Sequence, residues 1–148
     1  IDMTTRGYEI SLNYRPTSNL LLAGSYSHID LEGDRQRVTP ITGPGDFADM
    51  DYAMPALTTS ILASYSLPLG FEVSANYYLQ DDVEWEQGAN VDRFDRLDLR
   101  LAKTIGLGQT STLLELIVQN ALGDDYVEYH DFNIFERRAY LRMSVDWQ

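Results

Sequence analysis

Two places in this chain set side chains together that could activate a water molecule. Asp81-Asp82 offers adjacent carboxylates, and His130-Asp131 puts an imidazole beside a carboxylate. A general base must lie within hydrogen-bond reach of the proton it takes, so such pairs do chemistry only where the fold brings them to one point. Both pairs fall in acidic connecting stretches, where solvated loop residues are the ordinary reading. The chain therefore reads as non-enzymatic, with no catalytic residue assigned. Carboxylate oxygens could also hold a divalent cation, but no EF-hand spacing occurs, so no metal ligand and no cofactor is assigned. The remaining candidates are aromatic. Phe47, Tyr52, Trp85, Tyr126 and Tyr129, with His130, stand in connections where they could line a ligand vestibule. Loop packing or anchoring is the competing role for each of them.

Composition narrows the classes. The 148 residues suffice for one domain with a core. A formal net charge of -12 argues against nucleic acid, whose phosphates demand a basic face. With no cysteine there is no disulfide, thiolate metal site or cysteine nucleophile. No apolar run approaches the ~18 residues of a membrane helix, and no basic-then-apolar leader opens the chain. The opening Ile1-Asp2-Met3 looks like a cut end. Ten tyrosines suit an interface where one end of the ring is dry and the other wet.

The elements that would position these residues are strands. From Arg138 to Trp147, Ala139, Leu141, Met143, Val145 and Trp147 alternate with Tyr140, Arg142, Ser144 and Asp146. Period two gives one apolar and one polar face. The pattern recurs over Gly7 to Tyr14, Leu20 to about Ile29, about Ala56 to Leu67, Phe71 to Gln80, about Phe94 to Thr104, and Ser111 to Asn120. In the sixth stretch the polar face is mixed, with Leu113 and Ile117 beside Glu115 and Gln119.

Two regularities follow. The apolar face of nearly every strand is free of charge along its length; Lys103 is an exception, near a strand end where its stem can lie on apolar surface and its ammonium reach water. Glu9, Glu72, Arg96, Asp98, Arg100, Glu115, Arg142 and Asp146 all fall on the opposite faces, and for Arg96, Asp98, Arg100 and Arg142 the expected role is charge pairing. His28, near the end of the second strand, reads as a girdle or loop-base residue. Connections alternate strictly: residues 15–19, 68–70 and 105–110 are short, whereas 30–55, 81–93 and 121–137 are long. Strands of about ten residues joined in this way predict an antiparallel transmembrane β-meander in a bacterial outer membrane, with long loops outside and the C-terminus periplasmic. The expected lipid partners are outer-membrane lipid and lipopolysaccharide, the latter met through loose divalent bridging. Seven strands is an odd count. Either one strand is hidden inside 30–55, or the chain is an arc of a larger barrel.

Four stretches resemble the barrels of TonB-dependent outer-membrane receptors of the siderophore-receptor type. Arg93-Phe94-Asp95-Arg96-Leu97-Asp98-Leu99-Arg100-Leu101-Ala102-Lys103 is similar to their R-x-D-L-R-L-A-K strand. Val118-Gln119-Asn120-Ala121-Leu122-Gly123-Asp124-Asp125-Tyr126 is similar to their v-x-N-L-x-D-x-x-Y segment. The stretch from Arg137 to Trp147 resembles their terminal strand, and Thr5 to Tyr14 an upstream G-x-E-x-x-x-x-Y strand. The family usually ends on phenylalanine, whereas here Trp147 precedes Gln148. The resemblance implies that residues 1–148 form one C-terminal segment of a 22-stranded barrel. Its N-terminal plug and the rest of its wall would lie elsewhere in the same protein. It further implies TonB-dependent import of a scarce ligand such as a ferric siderophore, with this segment supplying wall and extracellular loops in a Gram-negative cell. Two alternatives stand beside it: a small passive or structural outer-membrane barrel, and a soluble β-sandwich or lipocalin-like binding module.

Overall fold

The computed structural model describes residues 2–34, 54–84, 90–129 and 132–147. The strands in chain order are β1 (Asp2–Thr17), β2 (Leu20–Asp34), β3 (Leu57–Leu67), β4 (Phe71–Gln80), β5 (Val83–Glu84) and β6 (Asn90–Val91). They continue with β7 (Phe94–Leu107), β8 (Thr110–Gln119), β9 (Tyr126–Val127), β10 (Ile134–Phe135) and β11 (Arg138–Trp147). Seven of them form one sheet in the order β1-β2-β3-β4-β7-β8-β11, every neighbouring pair antiparallel. The described residues thus form an all-β meander with β1 and β11 as its edges. β5 pairs with β6, and β9 with β10, as small hairpins on two of the long connections.

Register keeps the two faces separate across all seven strands. One transverse row runs Leu20, Tyr65, Val73, Leu101, Leu116, Leu141, apolar throughout. A neighbouring row runs Ser66, Glu72, Ala102, Glu115, Arg142. A slip of one residue in any strand would exchange its faces, so the alternation specifies the register strongly.

Several strands run further than the alternation predicts. β1 begins at Asp2 and ends at Thr17, beyond the expected Gly7 to Tyr14. Its register shifts by one between Tyr14 and Thr17, around Pro16, which has no N–H to give a ladder. β2 reaches Asp34, so the first residues of the predicted 30–55 loop are strand. They are paired with β1, Asp30 opposite Arg6 and Glu32 opposite Thr4, and pairing overrides their polarity. β7 extends to Leu107, which shortens the predicted 105–110 turn to Gly108-Gln109. The 68–70 turn is a single 3-10 turn in which Leu69 and Gly70 both take positive φ, 64° and 76°. The strand sought inside 30–55 falls largely outside the described residues. β2 and β3 are direct neighbours, however, so no strand stands between them.

The buried residues are not where a water-soluble sheet keeps them. Ile10 and Leu12 are 62% exposed, and Leu141 81%. Leu99, Leu101, Leu114 and Leu116, in the middle of the sheet, are exposed as well. No second sheet covers this face among the described residues. The buried apolar side chains include Val83, Val91, Phe94 and Tyr126, gathered at the end where the long connections lie.

Candidate functional site

Two constructions on the polar side of the sheet organise its side chains. The first is an ion-pair chain across four strands. Glu115 on β8 is fully buried and takes two arginines. Arg100 donates from Nε to Glu115 Oε1 at 2.6 Å, and Arg142, directly opposite on β11, donates to Oε2. Arg100 also donates to Glu72 on β4. Ala102 lies between Glu72 and Glu115 in the transverse row, and its small side chain leaves the space that the Arg100 guanidinium bridges. Two acids and two bases cancel. The arrangement ties β4, β7, β8 and β11 together on the face that has no apolar packing to do so. Charge-assisted hydrogen bonds of this kind are the stronger ones.

The second construction is a cap at the long-connection end, and most of the candidate residues belong to it. Phe94, first residue of β7, stacks on Tyr126 of β9 with ring centroids 4.4 Å apart and 12° between planes. Tyr126 stacks in turn on Phe135 of β10 at 5.2 Å. Tyr78 of β4 tilts against Phe94 at 6.0 Å, and Val91 and Val127 complete the cluster. Stacked rings of this kind stabilise beyond the area they bury.

Arg96 fastens this stack to the sheet. Its Nη1 donates to the Tyr126 hydroxyl at 3.0 Å. Its guanidinium lies 3.5 Å from Glu128, 3.6 Å from Asp98 and 5.5 Å from the centroid of the Tyr78 ring. Asn120 follows β8 and starts the turn into the cap. It takes a left-handed φ of 51°, a conformation its short polar side chain tolerates. Its backbone N–H donates to Asp98 Oδ1 at 3.0 Å, and its Nδ2 donates to the Asp124 carbonyl at 2.8 Å. Arg137 closes the far side, donating to the Leu122 carbonyl at 3.0 Å. Gly123 takes a left-handed φ of 87°, which favours glycine, and the Arg137 guanidinium occupies the space a side chain there would enter.

These placements sort the candidates. Tyr126 is a buried member of the stack, and its ring packs the cap together. Tyr129 is 46% exposed beyond β9. Phe47, Tyr52, Trp85 and His130 lie outside the described residues, as does Asp131. Asp81 is described and lies 3.8 Å from Arg93. His28 tilts against Tyr8, 5.6 Å between centroids, and Tyr8 stacks on Tyr26 at 5.9 Å, all near one end of the exposed apolar face. At the opposite end Lys103 reaches back to the Leu69 carbonyl and sits 4.1 Å over the Phe71 ring. No group of three or more metal-ligating side chains occurs among the described residues.

Where the two small hairpins meet, they leave a half-open depression of about 280 Å³. Asn90, Asp92, Arg93 and Phe94 line one side, and Asp125, Tyr126 and Val127 the other. Sequence reading missed Phe94 and Arg96 as members of this site because they are ordinary alternation positions of a strand. The signal that could have found them is the long-range pairing of Arg96 with Tyr126. No protein-family model matches the chain, and none of the curated proteins matches it.

Proposed function

We propose that the sheet is part of the wall of an outer-membrane β-barrel, and that the barrel is a TonB-dependent receptor importing a scarce ligand such as a ferric siderophore. The observation that carries this reading is the exposed apolar face. Contiguous apolar patches on water-soluble monomers rarely exceed a few hundred Å², whereas this face runs unbroken across seven strands. Its edges are amphipathic: Tyr8, Tyr26 and His28 toward the long connections, Tyr14, Tyr65, Phe71 and Lys103 toward the short turns. Aromatic girdles at both margins of an apolar band are what a bilayer selects. Nine residues, such as Leu97 to Ile105, span roughly 26 Å at ~3.3 Å per step before tilt.

Lipid then faces the apolar side, and the ion-pair chain faces the barrel interior. The cap, fastened through Arg96 and Tyr78 of the polar side, sits over the mouth of that interior, where an entering ligand arrives. Import specifically, and TonB as its energy source, rest on the motif resemblance; the geometry supports the wall and the mouth. A soluble sandwich is disfavoured because no second layer covers the apolar face among the described residues.

The test is reconstitution. The chain, alone and within its parent polypeptide, is refolded with lipid vesicles and challenged with protease. Protection of β3, β4, β7 and β8 with cleavage confined to the long connections supports the wall. A detergent-free soluble monomer in analytical ultracentrifugation removes it.

A further inference from the structure

We propose that the depression between β6 and β9 binds a ligand carrying an ammonium or guanidinium group on a compact apolar body. This rests on the receptor reading for where the site faces, and goes beyond it by naming the class of ligand. An iron chelate fits the proposal only if it carries such a cation.

Three observations converge. The first is construction. The two walls come from different long connections, Asn90 to Phe94 on one side and Asp125 to Val127 on the other. The stacked Phe94 and Tyr126 rings hold the walls together. The apolar floor is therefore fixed before any ligand arrives, and preorganisation lowers the cost of binding. The second is size. At about 280 Å³ the space is just under that of pockets for drug-sized molecules, so it suits a small molecule or one arm of a larger one.

The third is charge. Asp92 and Asp125 stand on opposite walls, both exposed. Arg93 is the cation of the rim, and its guanidinium lies 3.8 Å from Asp81. The surroundings add to this. The described residues of the three long connections, 30–34, 81–84, 90–93, 121–129 and 132–137, carry 11 acids and two bases, Arg93 and Arg137. A concave site inside a field of one sign raises the local concentration of the opposite charge. An anion would meet two carboxylates and a repelling field, whereas a cation meets two carboxylates and an apolar floor.

The experiment is a calorimetric titration of the full chain in detergent micelles, with agmatine as the cationic probe and succinate as an anionic probe of similar length. Saturable agmatine binding at millimolar concentration or better, with none for succinate, is expected. The Asp92→Asn/Asp125→Asn double variant should weaken agmatine by about tenfold, the loss of one well-made charged contact. Asp30→Asn, at the same end but outside the depression, should change it less than twofold at physiological salt, where the screening length is about 8 Å. Equal binding of succinate, equal weakening by Asp30→Asn, or no saturable agmatine binding overturns the proposal. Vesicle insertion is scored separately. Insertion without agmatine binding discards the cation site and keeps the wall; agmatine binding without insertion does the reverse.

Discussion

The wall and the cap solve opposite problems with the same residue types. In the wall, Leu99, Leu101, Leu114 and Leu116 point out and stay exposed, while the charged Glu115 is buried. In the cap, Val83, Val91, Phe94 and Tyr126 are buried and the acids face outward, as in any water-soluble core. On the proposed outer-membrane reading the apolar face meets lipid and the cap meets water, and the inversion follows from those two solvents. The wall is held by ladders and by ion pairs on its polar side; the cap is held by ring stacking.

The largest test of that contrast places a charge on the apolar face. Leu99→Arg should cost about 2–4 kcal/mol of stability in lipid vesicles, the range for arginine near a bilayer midplane. Urea titration of the inserted protein measures it. If the variant is unaffected, the apolar face does not meet lipid and the contrast collapses. Next comes Glu115→Gln, which removes the countercharge shared by Arg100 and Arg142. Loss of a shared buried partner leaves charge without compensation. The expected result is a lower unfolding midpoint and faster hydrogen exchange in β8 and β11, with the cap amides unchanged.

Phe94→Ala acts on the other region. It removes the ring between Tyr78 and Tyr126, and should cost the cap about 2–3 kcal/mol, less than a fully enclosed phenylalanine. Exchange should quicken at β6 and β9 while β8 and β11 stay protected; loosening of both regions together would show that wall and cap are one unit. Asn120→Ala loses the bond to Asp124 and leaves a side chain poorly suited to a positive φ. About 1–2 kcal/mol is expected, read in the same exchange experiment. Lys103→Met is the smallest. At the margin of the apolar face it should shift stability by no more than about 0.5 kcal/mol, and a larger loss would mean that the lysine is not at an interface.

Much of the wall is legible in the sequence because strand alternation is a local signal. Leu97, Leu99 and Leu101 against Arg96, Asp98 and Arg100 need no partner to be read. The alternation of short and long connections follows from the same segmentation. The ends of β1 and β2 are not legible, since Asp30 and Glu32 are strand only by virtue of pairing with Arg6 and Thr4. Nor are β5, β6, β9 and β10, two residues each and too short for any periodicity. The Glu115 chain depends on register across four strands, which no single segment contains. Tyr126 was legible as a notable aromatic, but its burial depends on Phe94, 32 positions away.

The order of the sheet has a consequence for how it can be completed. Seven antiparallel strands leave β1 and β11 pointing the same way. A ring of identical copies standing upright side by side would bring β11 of one against β1 of the next in parallel, with a mismatched seam at every junction. A cylinder with antiparallel seams throughout needs an odd number of further strands between those two edges. Parity, rather than affinity, therefore decides what could complete this surface: an odd number of strands whose first and last members run in the same sense, antiparallel to both β1 and β11.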